Sequence, residues 1–153
     1  MPNPVSIHSL QFLYERDKGE HDILTDVLKV ILLNETFYFD PAAHSTYTDI
    51  SPYELTGQFG YVQKDKTLTN VGLTIEAGED RVKATCSSPS WEAAGGNWEG
   101  IKACAIINET HANDTVVLCV DFDAIYIMED GIPFQIDFSN GLYLARVIIP
   151  TTT

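Results

Sequence analysis

The sequence predicts an all-β protein: a β-sandwich or jelly-roll-like antiparallel domain with one short N-terminal helix and a single helical turn near Ser51 to Leu55. Three observations carry that prediction. Between Ile101 and Phe122, two short apolar runs (Ile101 to Ile107 and Val116 to Phe122) flank the polar insert Asn108 to Thr115, the pattern of antiparallel neighbours joined by a loop. Period-two alternation recurs in Val71, Leu73, Ile75 and Ala77, in Val82, Ala84 and Cys86, and in Phe134, Ile136 and Phe138. Turn residues punctuate these runs at Gly78, Asp130-Gly131 and Asn140-Gly141, a spacing typical of sandwiches, jelly rolls and barrels.

Taken in order, residues 1–5 hold Pro2 and Pro4, which favour extended backbone and cannot donate to a ladder. They read as an N-terminal arm, either frayed or lying on a neighbouring subunit. Ser6 can cap a short helix carrying Ile7, Leu10, Leu13 and Tyr14, with Gly19 as its stop. Val27 to Leu33 is a nearly continuous apolar run, as expected of a strand covered on both faces. Asp40-Pro41 breaks the pattern, and His44 to Asp49 reads as loop. Ser51-Pro52-Tyr53-Glu54 combines a cap, a first-turn proline and a glutamate three residues on, which predicts the single helical turn.

Gly60 to Gln63 is a short strand candidate. Residues 71–77 and 81–86 form a hairpin with Val71, Leu73, Ile75, Val82, Ala84 and Cys86 inward. Trp91 and Trp98 bracket a glycine-eased reversal at Gly95-Gly96. In the central hairpin Ile101, Ala103, Ala105 and Ile107 share one face, and so do Val116, Leu118, Val120 and Phe122. Ala124 to Met128, Phe134 to Phe138 and Leu142 to Ile149 follow as strand-like segments, and residues 150–153 are a polar tail.

With 153 residues the chain reads as one domain, 1–153, large enough to bury a core without covalent staples. Its 9 basic and 22 acidic residues give a net charge of −13, which opposes a phosphate backbone and argues against nucleic acid as a partner. Cys86, Cys104 and Cys119 are odd in number and lie in apolar runs, so buried free thiols are expected. No apolar run approaches the ~18 residues of a membrane span, and the start of the chain lacks the pattern of a signal peptide. The expectation is therefore no membrane partner and synthesis in a cytoplasm. The glycosylation-type triplets at Asn34, Asn108 and Asn113 read as polar turns.

No catalytic set stands out. The four histidines, His8, His21, His44 and His111, show no zinc-site spacing. Asp40, His44 and Asp49 share one loop, which turn-forming Asp explains better than a cation. Asp121, Asp123, Glu129 and Asp130 lack a calcium-loop pattern, and nothing fixes the separation of Glu54 from Glu109 as paired acids. Tyr53, Tyr61, Trp91 and Trp98 lie beside turns and would serve a glycan-binding surface if exposed. The expectation is no enzyme, and no catalytic, cofactor-binding or metal-binding residues.

The order of segments resembles a family of small all-β structural proteins encoded among the virion genes of tailed bacteriophages. The likeness is carried by His21-Asp22 through Leu33, by Asp49-Ile50-Ser51 with Glu54 and Gly60-Tyr61, and by Trp91 through Gly96. It continues in Ile101 to Ile107, Val117 to Phe122, and Asp130-Gly131 through Phe138 with Gly141-Leu142, so that it spans residues 21–144. The N-terminal arm, Phe37-Tyr38-Phe39 and the cysteines have no counterpart in it. The resemblance implies a non-enzymatic virion component made in a bacterial host's cytoplasm. It would act as a capsid cement or decoration protein on the outer capsid surface, bound to the major capsid protein and self-associating as a dimer or trimer. A tail or neck component is the alternative, and a glycan- or receptor-binding module a further one.

Overall fold

The computed structural model describes residues 5–142 and 146–148. The chain is all-β, with antiparallel sheets and two short helices. Strand β1 (Val5–His8) leads into helix α1 (Leu10–Asp17) and strand β2 (Leu28–Asn34). Helix α2 (Tyr47–Ile50) continues into a 3-10 turn, Ser51–Tyr53, and strand β3 is Lys66–Thr67. Strands β4 (Gly72–Glu76) and β5 (Arg81–Thr85) form a hairpin, followed by β6 (Ser90–Glu92), β7 (Ile101–Asn108), β8 (Thr115–Tyr126), β9 (Pro133–Asp137) and β10 (Arg146–Ile148). The five-stranded sheet runs β1-β8-β7-β2-β3, and the smaller sheets run β10-β9-β6 and β4-β5.

The centre of the five-stranded sheet, made by β2, β7 and the first half of β8, is buried on both faces. Val30, Leu32, Cys104, Ile106, Leu118, Val120 and Phe122 pack with Trp91, Phe134 and Ile136 of the three-stranded sheet and Ala84 of β5, forming the main core. On the other face Ile31, Leu33, Ala103, Ala105, Val116 and Cys119 pack under Phe37 and Ile50. This explains why β2 reads as an unbroken apolar run: its neighbours cover it from both sides. The central hairpin β7–β8 and the inward Phe134, Ile136 and Phe138 stand as the sequence predicts.

Two face assignments within the hairpin are corrected. The β7–β8 register shifts between Ile106 and Ile107, where Val117 of β8 has no partner, and again between Ile101 and Ala103. Each shift moves later side chains to the opposite face. Ile101 therefore joins Cys104 and Ile106 in the main core, and Val116 joins Cys119 on the far side.

The N-terminal helix begins later than the sequence predicts. Ser6 and Ile7 lie in β1, paired with Val120 and Cys119, and Ser6 Oγ donates to the Leu142 carbonyl. Ser9 caps the helix, its hydroxyl accepting from Phe12 N at 3.0 Å. That hydroxyl donates to the Val116 carbonyl and Ser9 N donates to Val117 O, so the chain stays on β8 until residue 9. Phe12 and Glu15 are buried, whereas Leu10 and Tyr14 face solvent. The expected loop at His44 to Asp49 contains α2, whose capping box is Thr46 with Asp49. Ser51 to Tyr53 is helical as predicted, but as a continuation of that helix.

Gly60 to Gln63 is a turn and not a strand. Phe59 and Gly60 both have positive φ, and the sheet-edge strand comes three residues later at Lys66. A Cβ on Gly60 would stand 2.7 Å from Glu92 O, so this close approach admits only glycine. The hairpin β4–β5 forms where expected, but its apolar face is not inward. Leu73 is 47%, Val82 60% and Ile75 80% exposed, while Ala84 and Cys86 reach the core and Val71 packs against it as expected. Residues 1–4 of the expected arm, the expected strand's residues 143–145 and 149, and the polar tail 150–153 lie outside the described residues. Among the described residues no helix is long and apolar enough to cross a membrane.

Candidate functional site

The densest polar cluster joins α1 to the β7–β8 loop. Glu15, on the buried side of α1, accepts from His21 Nε2 at 2.9 Å and Thr115 Oγ1 at 2.6 Å through one oxygen. Its other oxygen accepts from Gln11 Nε2 at 2.6 Å, one helical turn back. His111 Nε2 stands 3.6 Å from Glu15 and 3.8 Å from Glu20. The His21 and His111 rings stack with centroids 4.9 Å apart, and Phe12 packs on His21. Burial pushes the Glu15 carboxyl up, but the bonds from Gln11, Thr115 and His21 and the nearness of His111 outweigh it, leaving the pKa below its ordinary value.

The outer hydrogen bonds assign the ring tautomers. Asn108 Oδ1 accepts from Thr110 N and His111 N, which turns its amide nitrogen toward His21 Nδ1 at 2.8 Å and Asp26 at 2.6 Å. His111 Nδ1 accepts from Asn113 N at 3.2 Å. Neutral rings with acceptors at Nδ1 carry their protons on Nε2, and both Nε2 atoms face Glu15. As bonded, the cluster fastens α1 to the loop through one buried carboxylate.

A second buried carboxylate repairs a sheet edge. Strand β3 pairs with β2 only at Lys29 and Val30. Beyond it Leu32 N donates to the Tyr61 hydroxyl at 3.0 Å, and Leu32 O accepts from Leu55 N. Glu54 accepts from Tyr61 at 2.7 Å, Tyr47 at 2.6 Å and Lys64 N at 2.8 Å. Burial first, and then the Glu54 charge, holds the Tyr61 hydroxyl far above its usual pKa, so it remains a donor. The same causes act on Tyr47. Glu109 is exposed, and no bond joins it to Glu54 among the described contacts.

The other residues singled out in the sequence serve local structure. Asp40 Oδ1 accepts from Ala42 N and Ala43 N, His44 Nδ1 accepts from Asp40 N, and Asp49 accepts from Ser45 N and Thr46 N. Asp121 accepts from Asp123 N, Asp130 accepts from Gly95 N across a turn, and Glu129 is exposed. Tyr61, Trp91 and Trp98 are buried and Tyr53 is half-buried, which removes the stacking platform a glycan would need. Asn34 accepts within its own turn, Asn108 is fully buried and Asn113 is exposed. The three cysteines are buried and free, as expected. Burial pushes the Cys86 thiol up to about 12, and pushes Cys104 and Cys119 higher still.

The sequence reading missed the Glu15–His21–His111 cluster. The six-residue step from Glu15 to His21 at a helix end was visible, but His111 arrives from a loop far along the chain. The exposed apolar hairpin was also missed. Ile75 pairs across the strands with Val82, and Leu73 with Ala84. Ala84 closes the base of this face, while Leu73 and Val82 overhang a groove of about 590 Å³ floored by Phe12, Leu28 and Leu118. A second groove, about 490 Å³, lies over edge strand β1 between Val5, Ile7, Cys119 and Tyr38.

No protein-family model, curated protein or solved structure matches the chain.

Proposed function

We propose that this chain is a non-enzymatic virion structural protein: a capsid cement or decoration protein that binds the major capsid protein on the outer shell. The observation that supports it best is the β4–β5 hairpin, whose Leu73, Ile75 and Val82 project an apolar face into solvent beside an apolar groove. Contiguous apolar surface of this kind marks an interaction site. The second groove, beside β1, gives self-association as a dimer or trimer a surface of its own. Glu54, a buried carboxylate, is saturated by donors from the fold itself, which favours attachment over chemistry.

The acidic balance fits a place on the outer shell, away from packaged nucleic acid. Many copies on one lattice convert a modest contact per copy into strong retention. A tail or neck component would use the same hairpin at a few copies per particle. The test is retention of the purified chain on capsid shells that lack it, compared with the double variant Ile75→Lys with Val82→Glu. The variant folds with near-unchanged stability, because both side chains are exposed and opposite charges face each other across the strands, and it fails to co-sediment with shells. Equal retention of the folded variant would overturn the assignment of the hairpin, and no retention of either chain would overturn the capsid role.

A further inference from the structure

We propose that Glu15, His21 and His111, joined by Glu20, form a binding site for a zinc ion. This rests on the side-chain cluster alone and is independent of the capsid reading. One oxygen of Glu15 lies 2.9 Å from His21 Nε2 and 3.6 Å from His111 Nε2, and Glu20 lies 3.8 Å from His111 Nε2. The ligand atoms of Glu15, His21 and His111 all fall within 4.8 Å of one another. A tetrahedral zinc ion with its usual bonds to nitrogen and oxygen holds its ligands roughly 3.3–3.5 Å apart. These three therefore need their closest pair to open slightly and their widest pair to close by no more than roughly 1.5 Å, and the exposed Glu20 side chain would swing in from the rim as the fourth ligand. Two imidazoles with two carboxylates suit zinc over calcium or magnesium, which take oxygen ligands.

The chain delivers these ligands from α1, from the turn that follows it and from the β7–β8 loop, so one ion would tie all three together. Glu15 and His21 lie inside, while Glu20 is at the rim with its side chain 38% exposed, which leaves an approach for the ion. Binding has a definite consequence for the surrounding hydrogen bonds. A ring that ligates through Nε2 must carry its proton on Nδ1 and needs an acceptor there. For His111, Thr115 Oγ1 stands 3.3 Å away and can accept once Nδ1 releases Asn113 N. For His21 the neighbour is the Asn108 amide nitrogen, a donor, so that amide must turn and release Thr110 N and His111 N.

The full chain, stripped with a chelator and dialysed, is titrated with zinc chloride in a calorimeter, and cobalt(II) is added in parallel to read coordination geometry. Wild type takes up one zinc ion per chain and gives the intense visible absorption of tetrahedral cobalt. His111→Gln, at the half-exposed edge of the cluster, weakens uptake by about 100-fold or more, and Glu20→Gln, at the exposed rim, weakens it by about tenfold. Glu129→Gln, at an exposed carboxylate outside the cluster, changes nothing. The proposal is overturned if wild type shows no saturable uptake, or if folded His111→Gln or Glu20→Gln binds as wild type does. Should His111→Gln fail to fold, the wild-type titration and Glu20→Gln, whose side chain is exposed, still decide.

Discussion

Replacing Tyr61 by Phe tests how the sheet is finished where β3 stops. The Tyr61 hydroxyl both accepts from Leu32 N and donates to Glu54, so the substitution removes two buried bonds at once. An orphaned buried N–H costs about 1–3 kcal/mol, and a lost bond to a charged group about 1.5–3 kcal/mol. Together they predict a loss of about 3–5 kcal/mol, without any large change in core volume. Glu54→Gln keeps the shape but removes the charge from three acceptor contacts, and should cost about 2–3 kcal/mol. Because both changes break the same Tyr61–Glu54 bond, the double variant should be more stable than the sum of the single losses by about 1–2 kcal/mol. Urea unfolding of the four proteins at one pH measures this. A Tyr61→Phe loss below about 1 kcal/mol, or strict additivity, would refute the edge-repair reasoning.

Three further predictions follow from single contacts. Gly60→Ala forces a side chain into positive φ and against Glu92 O, and should lower stability by about 2 kcal/mol or more in thermal unfolding. Asp49→Ala should cost about 1 kcal/mol at neutral pH through the lost capping box. Hydrogen bonds from Thr46 and Ser45 hold the Asp49 pKa below its reference value of 3.8, so the wild-type advantage is present above that value. It is lost as pH falls through the lowered folded value, and urea midpoints of the two proteins should converge there. None of the three buried thiols should react with a thiol reagent at pH 8 in the folded protein, whereas all three should react in denaturant.

Long alternation made much of the fold legible. The central hairpin, β2, β9 and the β4–β5 pairing follow from runs of apolar residues between polar turns. The faces of Ile101 and Val116 were not legible, because bulges shift the register without leaving a mark in composition. The helix start was expected at Ser6, three residues early, because only the bonds from Ser9 to β8 and to Phe12 locate the cap. Alternation also reads the same whether a strand face meets the core or solvent, so Leu73, Ile75 and Val82 were expected inside. The Glu15 cluster stayed hidden because three segments build it and spacing within one segment cannot reveal it.

The account's central claim is that this chain attaches and does not catalyse, and that its place is the capsid shell. Its most direct test is the copy number of the chain in purified particles made by the genome that encodes it, measured by quantitative mass spectrometry. The account predicts a fixed ratio to the major capsid protein; complete, infectious particles without the chain would contradict it.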